Sequence, residues 1–162
     1  MKRIFKSTLL IFFGATMLAV TSCDKDDDAT PEAPPTEKSK LTNRNFVLSD
    51  YNVILNGDPF STYSDLPSCV KDDITKFLDD NSGSVDEGNT KCDPGDPQTT
   101  HFTWAFQSEE KKLKIQGDGS STVYDIKINN GNTLKLEYVQ VDDFNGDGQN
   151  DTAVISLTYS KE

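Results

Sequence analysis

A chain of 162 residues holds one domain and a short leader, not two ordinary domains. Apolar residues make up only 34%, and 27 acids against 16 bases leave a net charge of −11, which excludes a nucleic-acid binder that works by neutralising phosphates. A single His and the lack of a His-rich or Cys-rich cluster leave little for metal-hydrolase or thiol chemistry.

Residues 1–22 read as a targeting segment. Lys2, Arg3 and Lys6 form a positive start, and the apolar stretch Leu9–Val20 is too short to span a bilayer. It ends in Val20-Thr21-Ser22-Cys23, a branched apolar residue and two small ones before Cys, which is the pattern of the bacterial lipobox. There Cys23 receives the diacylglyceryl group, with palmitate-type chains, and becomes the new N-terminus. The competing reading is an ordinary secretory signal with a stray Cys. Removing residues 1–22 leaves 140 residues with net charge −14.

Residues 23–40 hold the lipidated Cys and a tether rich in acids and Pro. Pro31, Pro34 and Pro35 favour extended conformations and nothing apolar is there to bury, so the segment is expected to be disordered, with a reach on the order of 50–60 Å. Asp24-Lys25-Asp26-Asp27-Asp28 resembles the signal by which one phylum of Gram-negative bacteria sends lipoproteins to the outer face of the outer membrane; a plain solvating linker is the alternative. With Cys23 assigned to lipid, Cys69 and Cys92 remain as an even pair in an oxidising compartment, either bridged or as two buried thiols.

From residue 41 to 162 the pattern alternates with period two between turn residues, which predicts an all-β domain. Phe46 to Leu55 is a long strand with a mixed pattern, open to a bulge, ending at Asn56-Gly57. Asp73 to Leu78 and Ser84 to Glu87 form a hairpin around Asn81-Ser82-Gly83, with a short helix over Ser68 to Thr75 as the rival for part of that stretch. His101 to Gln107 places Phe102, Trp104 and Phe106 on one face. Inward rows follow at Leu113 and Ile115; at Tyr124, Ile126 and Ile128; at Leu134, Leu136 and Tyr138 after the Asn130-Gly131 turn; and at Ala153, Ile155, Leu157 and Tyr159. About eight short strands joined in sequence order lose their exposed edges best by closing into an up-and-down antiparallel barrel.

Several segments carry a family resemblance: Leu41-Thr42, the run Leu66-Pro67-Ser68-Cys69-Val70-Lys71-Asp72-Asp73-Ile74, the run Asp86-Glu87-Gly88-Asn89-Thr90-Lys91-Cys92-Asp93-Pro94, and Thr103-Trp104. Together they resemble the lipocalin-like domains of small bacterial outer-membrane lipoproteins. The resemblance implies an eight-stranded barrel over nearly all of 41–162 and says little about ligand. The segment Asn43-Arg44-Asn45-Phe46 departs from the Gly-X-Trp that opens the first lipocalin strand and plugs the barrel base.

Catalysis has little support. His101 falls on the outward parity, no Gly-X-Ser-X-Gly turn exists, and the adjacent Asp72 and Asp73 would point to opposite faces of a strand. The other acids read as a solvated face. The inward rings Trp104, Phe106, Tyr124, Tyr138 and Tyr159 form a lining able to hold a small apolar or amphipathic molecule, or else simply fill the barrel. Two functions follow: a membrane-anchored carrier, or an accessory lipoprotein whose outer face contacts another envelope protein or a glycan. The last loop reads Asp143-Phe144-Asn145-Gly146-Asp147-Gly148-Gln149-Asn150-Asp151. Asp143, Asn145, Asp147, Gln149 and Asp151 occupy alternate positions of a calcium loop of EF-hand type, with Val154 where the bidentate Glu would stand. A plain polar turn is the alternative, and Asp151-Thr152-Ala153 resembles a bacterial O-glycosylation sequence that would place a glycan on Thr152.

Overall fold

The computed structural model describes residues 33–144 and 146–162. Eight antiparallel strands close into a barrel, β1 (Asn45–Leu55) followed by β3 (Ile74–Phe77), β4 (Ser82–Asp86), β5 (Thr99–Gln107), β6 (Lys112–Gly117), β7 (Ser120–Asn129), β8 (Thr133–Asp142) and β9 (Asp151–Lys161). β1 pairs with β9 from Phe46–Lys161 to Leu55–Ala153, which removes both edges. A ninth strand, β2 (Asp58–Thr62), folds back on the far half of β1 through the Asn56-Gly57 turn. The all-β, up-and-down barrel expected from alternation is the fold observed.

Burial follows the inward rows. Leu113, Leu134, Leu136, Ala153 and Ile155 are buried, as the period-two pattern requires. Within the barrel, two bulges shift parity. One between Leu48 and Asp50 lets Phe46 and Leu48 point inward before it and Tyr51 and Val53 after it. The other, between Ile126 and Ile128, overturns an expectation: Ile128 is not in the inward row but pairs with outward-facing Lys135 and is 41% exposed.

Three local expectations also need correction. The tether does not run to residue 40. Glu37–Leu41 form a helical turn, α1, capped by the Thr36 hydroxyl, which accepts from Ser39 N at 3.1 Å. Burial of Leu41 explains the earlier start: its side chain is 0% exposed and joins Phe46, Phe77, Trp104, Leu113, Leu134 and Leu136 in one core cluster. This cluster fills one end of the barrel, so the segment without Gly-X-Trp still adjoins a closed base, with the Trp supplied by β5. The β3–β4 turn comes earlier than Asn81-Ser82-Gly83, which leaves Ser82 and Gly83 in β4. Gly83 lies beneath the Phe102 ring, where a Cβ would meet Cε2 at 2.2 Å and the Lys76 carbonyl at 2.8 Å. The stretch 68–75 divides between both readings: Ser68–Lys71 is a short helix, α2, and β3 begins at Ile74.

Cys69 and Cys92 form a disulfide, with Cα atoms 5.2 Å apart, tying α2 to the loop that follows β4.

Candidate ligand site

β1 changes partners part-way along. Its register with β3 ends at Val47–Ile74 and that with β2 begins at Asn52–Thr62. Leu48 and Tyr51, inward residues on either side of the bulge, sit in the interval. The 3-10 turn Tyr63–Asp65 and α2 lie along this stretch of the chain. Beneath them is a cavity of about 230 Å3 lined by Leu48, Tyr51, Leu66, Val70, Asp73, Thr75, Val85, Leu157 and Tyr159. A second cavity, about 270 Å3, lies beyond Tyr51 toward the Asn56-Gly57 end and is lined by Val53, Leu55, Phe60, Tyr138, Phe144 and Ile155 among others. Tyr51 borders both. The barrel is therefore packed at one end and hollow toward the other.

Of the five rings expected to hold a ligand, two line these cavities: Tyr159 the first and Tyr138 the second. Trp104 is 3% exposed, packs edge-on against Phe77 and Phe106, and donates its indole N–H to the Ser82 carbonyl at 2.9 Å. It is part of the packed base together with Phe106. Tyr124 packs edge-on against Tyr138 at 5.2 Å. Burial raises the hydroxyl pKa of Tyr51, Tyr124, Tyr138 and Tyr159, so all four stay protonated at neutral pH.

The sequence distinguishes Asp73 from Asp72 only by strand parity. Asp73 shares the inward parity of Thr75 and Phe77, so its carboxyl enters the first cavity. Its Oδ1 is shielded from solvent and accepts no hydrogen bond. Burial, then the negative charges of Glu87, Asp72 and Asp86, push its pKa up to about 6. Asp72, the residue that ends α2, does not line this cavity. Its Oδ2 accepts from the backbone N–H groups of Asn89 and Thr90, each at 3.0 Å, and from the Thr90 hydroxyl at 2.6 Å. Among the remaining acids, read as a solvated face, Asp151 departs from that reading and is buried. His101 is exposed on β5, as expected.

Asn145 lies outside the described residues. Asp143 Oδ1 accepts from Gly146 N at 2.7 Å and Asp147 N at 3.1 Å, Asp143 Oδ2 from Gly148 N at 2.8 Å, and Asp147 Oδ1 from Gln149 N at 2.8 Å. Asp151, only 5% exposed, serves the fold: its carboxylate accepts from the Asn56 amide at 2.6 Å and from Phe144 N at 3.2 Å. Among the described residues no three His, Cys, Asp or Glu side chains gather as a metal-binding group. Cys23 also lies outside the described residues.

No family model matches the chain, and no curated protein matches it significantly.

Proposed function

We propose that this chain is a non-enzymatic lipoprotein of a Gram-negative outer membrane, anchored through Cys23, exposed on the cell surface, and holding one small apolar or amphipathic molecule in its barrel. The lipocalin-like resemblance belongs to this reading. The observation that carries it is the Tyr51-bordered hollow above a packed base, since eight strands can be filled by side chains throughout. Each cavity is smaller than the roughly 300–1,000 Å3 of ordinary drug-sized sites, so the ligand is small.

Native mass spectrometry of the gently purified full-length protein tests the reading. The expected spectrum carries the acyl chains and a retained small-molecule mass, which disappears in Val70→Trp, where the indole fills the first cavity. A ligand-free wild type that takes up nothing from an envelope extract overturns it.

The accessory reading has one observation in its favour. Val139 and Val141 stand on the outward row of β8 at 60% and 58% exposure, an apolar strip suited to a protein or glycan partner. Calcium in the last loop is a separate proposal, resting on the oxygen donors of Asp143 and Asp147 next to the glycines at 146 and 148, with Asp151 already committed to Asn56 and Phe144. Calorimetric titration checks it: millimolar Ca²⁺ that neither binds nor raises the melting temperature removes it.

A further inference from the structure

We propose that the first cavity is a site for a small apolar amine, whose ammonium group pairs with the Asp73 carboxylate while its hydrocarbon part lies among Leu48, Tyr51, Leu157 and Tyr159. The proposal rests on the carrier reading and names the ligand class.

A carboxylate oxygen shut away from water without a hydrogen bond is costly, and a buried unpaired charge more so. Asp73 Oδ1 is in that condition, on a side chain that lines a cavity otherwise walled mainly by aliphatic and aromatic side chains. Among the described residues none acts on Asp73 as a neutralising group. Lys71, two residues away, donates its ammonium to the Ser64 carbonyl at 3.3 Å and lies over the Tyr63 ring at 5.0 Å. The charged groups that act on Asp73 are Glu87, Asp72 and Asp86, all acidic. Asp72 Oδ1 is buried and unpaired as well, but hydrogen bonds from Asn89, Thr90, Gln98 and Thr99 hold Asp72 Oδ2 and Asp86, and of these acids only Asp73 lines the cavity.

This arrangement selects the ligand by chemistry. An anionic head group meets the Asp73 carboxylate and the field of Glu87, Asp72 and Asp86, and is rejected. A divalent cation finds one inward carboxylate instead of a cage of oxygens. A neutral apolar molecule leaves the Asp73 charge without a counter-charge. An ammonium group brings both the opposite charge and the missing donors. Since a cavity of about 150 Å3 accepts benzene, 230 Å3 suits a phenylalkylamine of about ten non-hydrogen atoms. The chain's net charge of −11 draws cations toward the mouth.

The site also responds to acid. The groups facing Asp73 are Glu87, Asp72 and Asp86, and the Tyr159 hydroxyl, which stays protonated. Protonating Asp73 removes the counter-charge, so amine affinity falls as pH drops through about 6.

Calorimetric titration of the full-length protein with 2-phenylethylamine, uncharged 2-phenylethanol and 3-phenylpropionate decides the matter. At pH 7.5 the amine should bind at least tenfold more tightly than the alcohol, and the carboxylate should not bind. Asp73→Asn should abolish that preference without weakening the alcohol, and wild-type preference should shrink at pH 5. If Asp73→Asn lacks a melting transition, the wild-type amine-to-alcohol ratio and its loss at pH 5 settle the question. Equal affinity for amine and alcohol, or a preference that survives Asp73→Asn, overturns the amine assignment and leaves the carrier reading standing. No heat with either probe also overturns it, and the carrier reading then depends on the retained ligand mass.

Discussion

Asp72 and Asp73 are chain neighbours in opposite environments. Hydrogen bonds led by the Thr90 hydroxyl hold the Asp72 carboxyl below the usual range, while burial drives Asp73 up to about 6. The sign of the stability effect follows. A carboxyl whose folded pKa exceeds its unfolded value binds its proton more readily in the native state, so its contribution is greatest below about pH 4 and is lost as pH rises through about 6. Asp73→Asn should therefore stabilise the protein at pH 7.5, by about 1 kcal/mol once solvent screening at this half-buried side chain is allowed for, and be neutral near pH 3.5. The acids Asp65, Asp79, Asp80 and Asp86, whose pKa values are lowered by hydrogen bonds, act in the opposite sense. The difference between variant and wild-type melting curves, taken at each pH, isolates Asp73. An equal difference at both pH values contradicts its assigned environment.

At the scale of elements, α2 and the disulfide work together. Leu66 and Val70 line the first cavity, and Cys69, which lies between them in the chain, is bonded to Cys92. The bridge spans 23 residues and stabilises by roughly 3 kcal/mol, mainly by restricting the unfolded chain. The double variant Cys69→Ser, Cys92→Ser should melt about 10 °C lower, by thermal denaturation followed through far-ultraviolet circular dichroism. An unchanged melting temperature would show that this segment is held by packing alone. The opposite end has no bridge. There Lys38 of α1 donates to the Asp79 carbonyl at 2.7 Å and to the Asn81 side chain at 3.1 Å, and lies over the Trp104 ring at 5.7 Å. Asn129 of β7 donates to the Glu37 carbonyl at 2.8 Å. These contacts fasten a helical turn that is too short to persist by itself.

At the scale of the whole molecule, the proposed reading puts a barrel with a packed base and a hollow upper half on a lipid anchor. Cell fractionation tests the anchor. The wild-type chain should sediment with membranes and incorporate labelled palmitate, and Cys23→Ser should do neither. A Cys23→Ser protein that stays membrane-bound removes the lipoprotein reading while leaving the barrel site untouched.

The fold class was legible because alternation is a property of single strands. Leu113, Leu134, Leu136 and Ile155 declare their faces without knowledge of any partner, and enough such strands joined by tight turns close most simply as a meander. The Cys69–Cys92 pair was likewise within reach once Cys23 was set aside. The site was less legible, for three physical reasons. A bulge changes parity without a residue signature of its own, so Tyr51 became a wall and Ile128 turned outward. Aromatic inward residues look alike whether they fill a core or border a space, and only the packing of Leu41 and Phe46 beneath Trp104 assigned that ring to the base. A buried carboxyl is recognised by what fails to reach it. One residue in the acidic run 72–73 could be read as facing inward, but the absence of a hydrogen bond to Oδ1 and the departure of Lys71 toward Ser64 are facts of three-dimensional placement, decided where β1 exchanges β3 for β2.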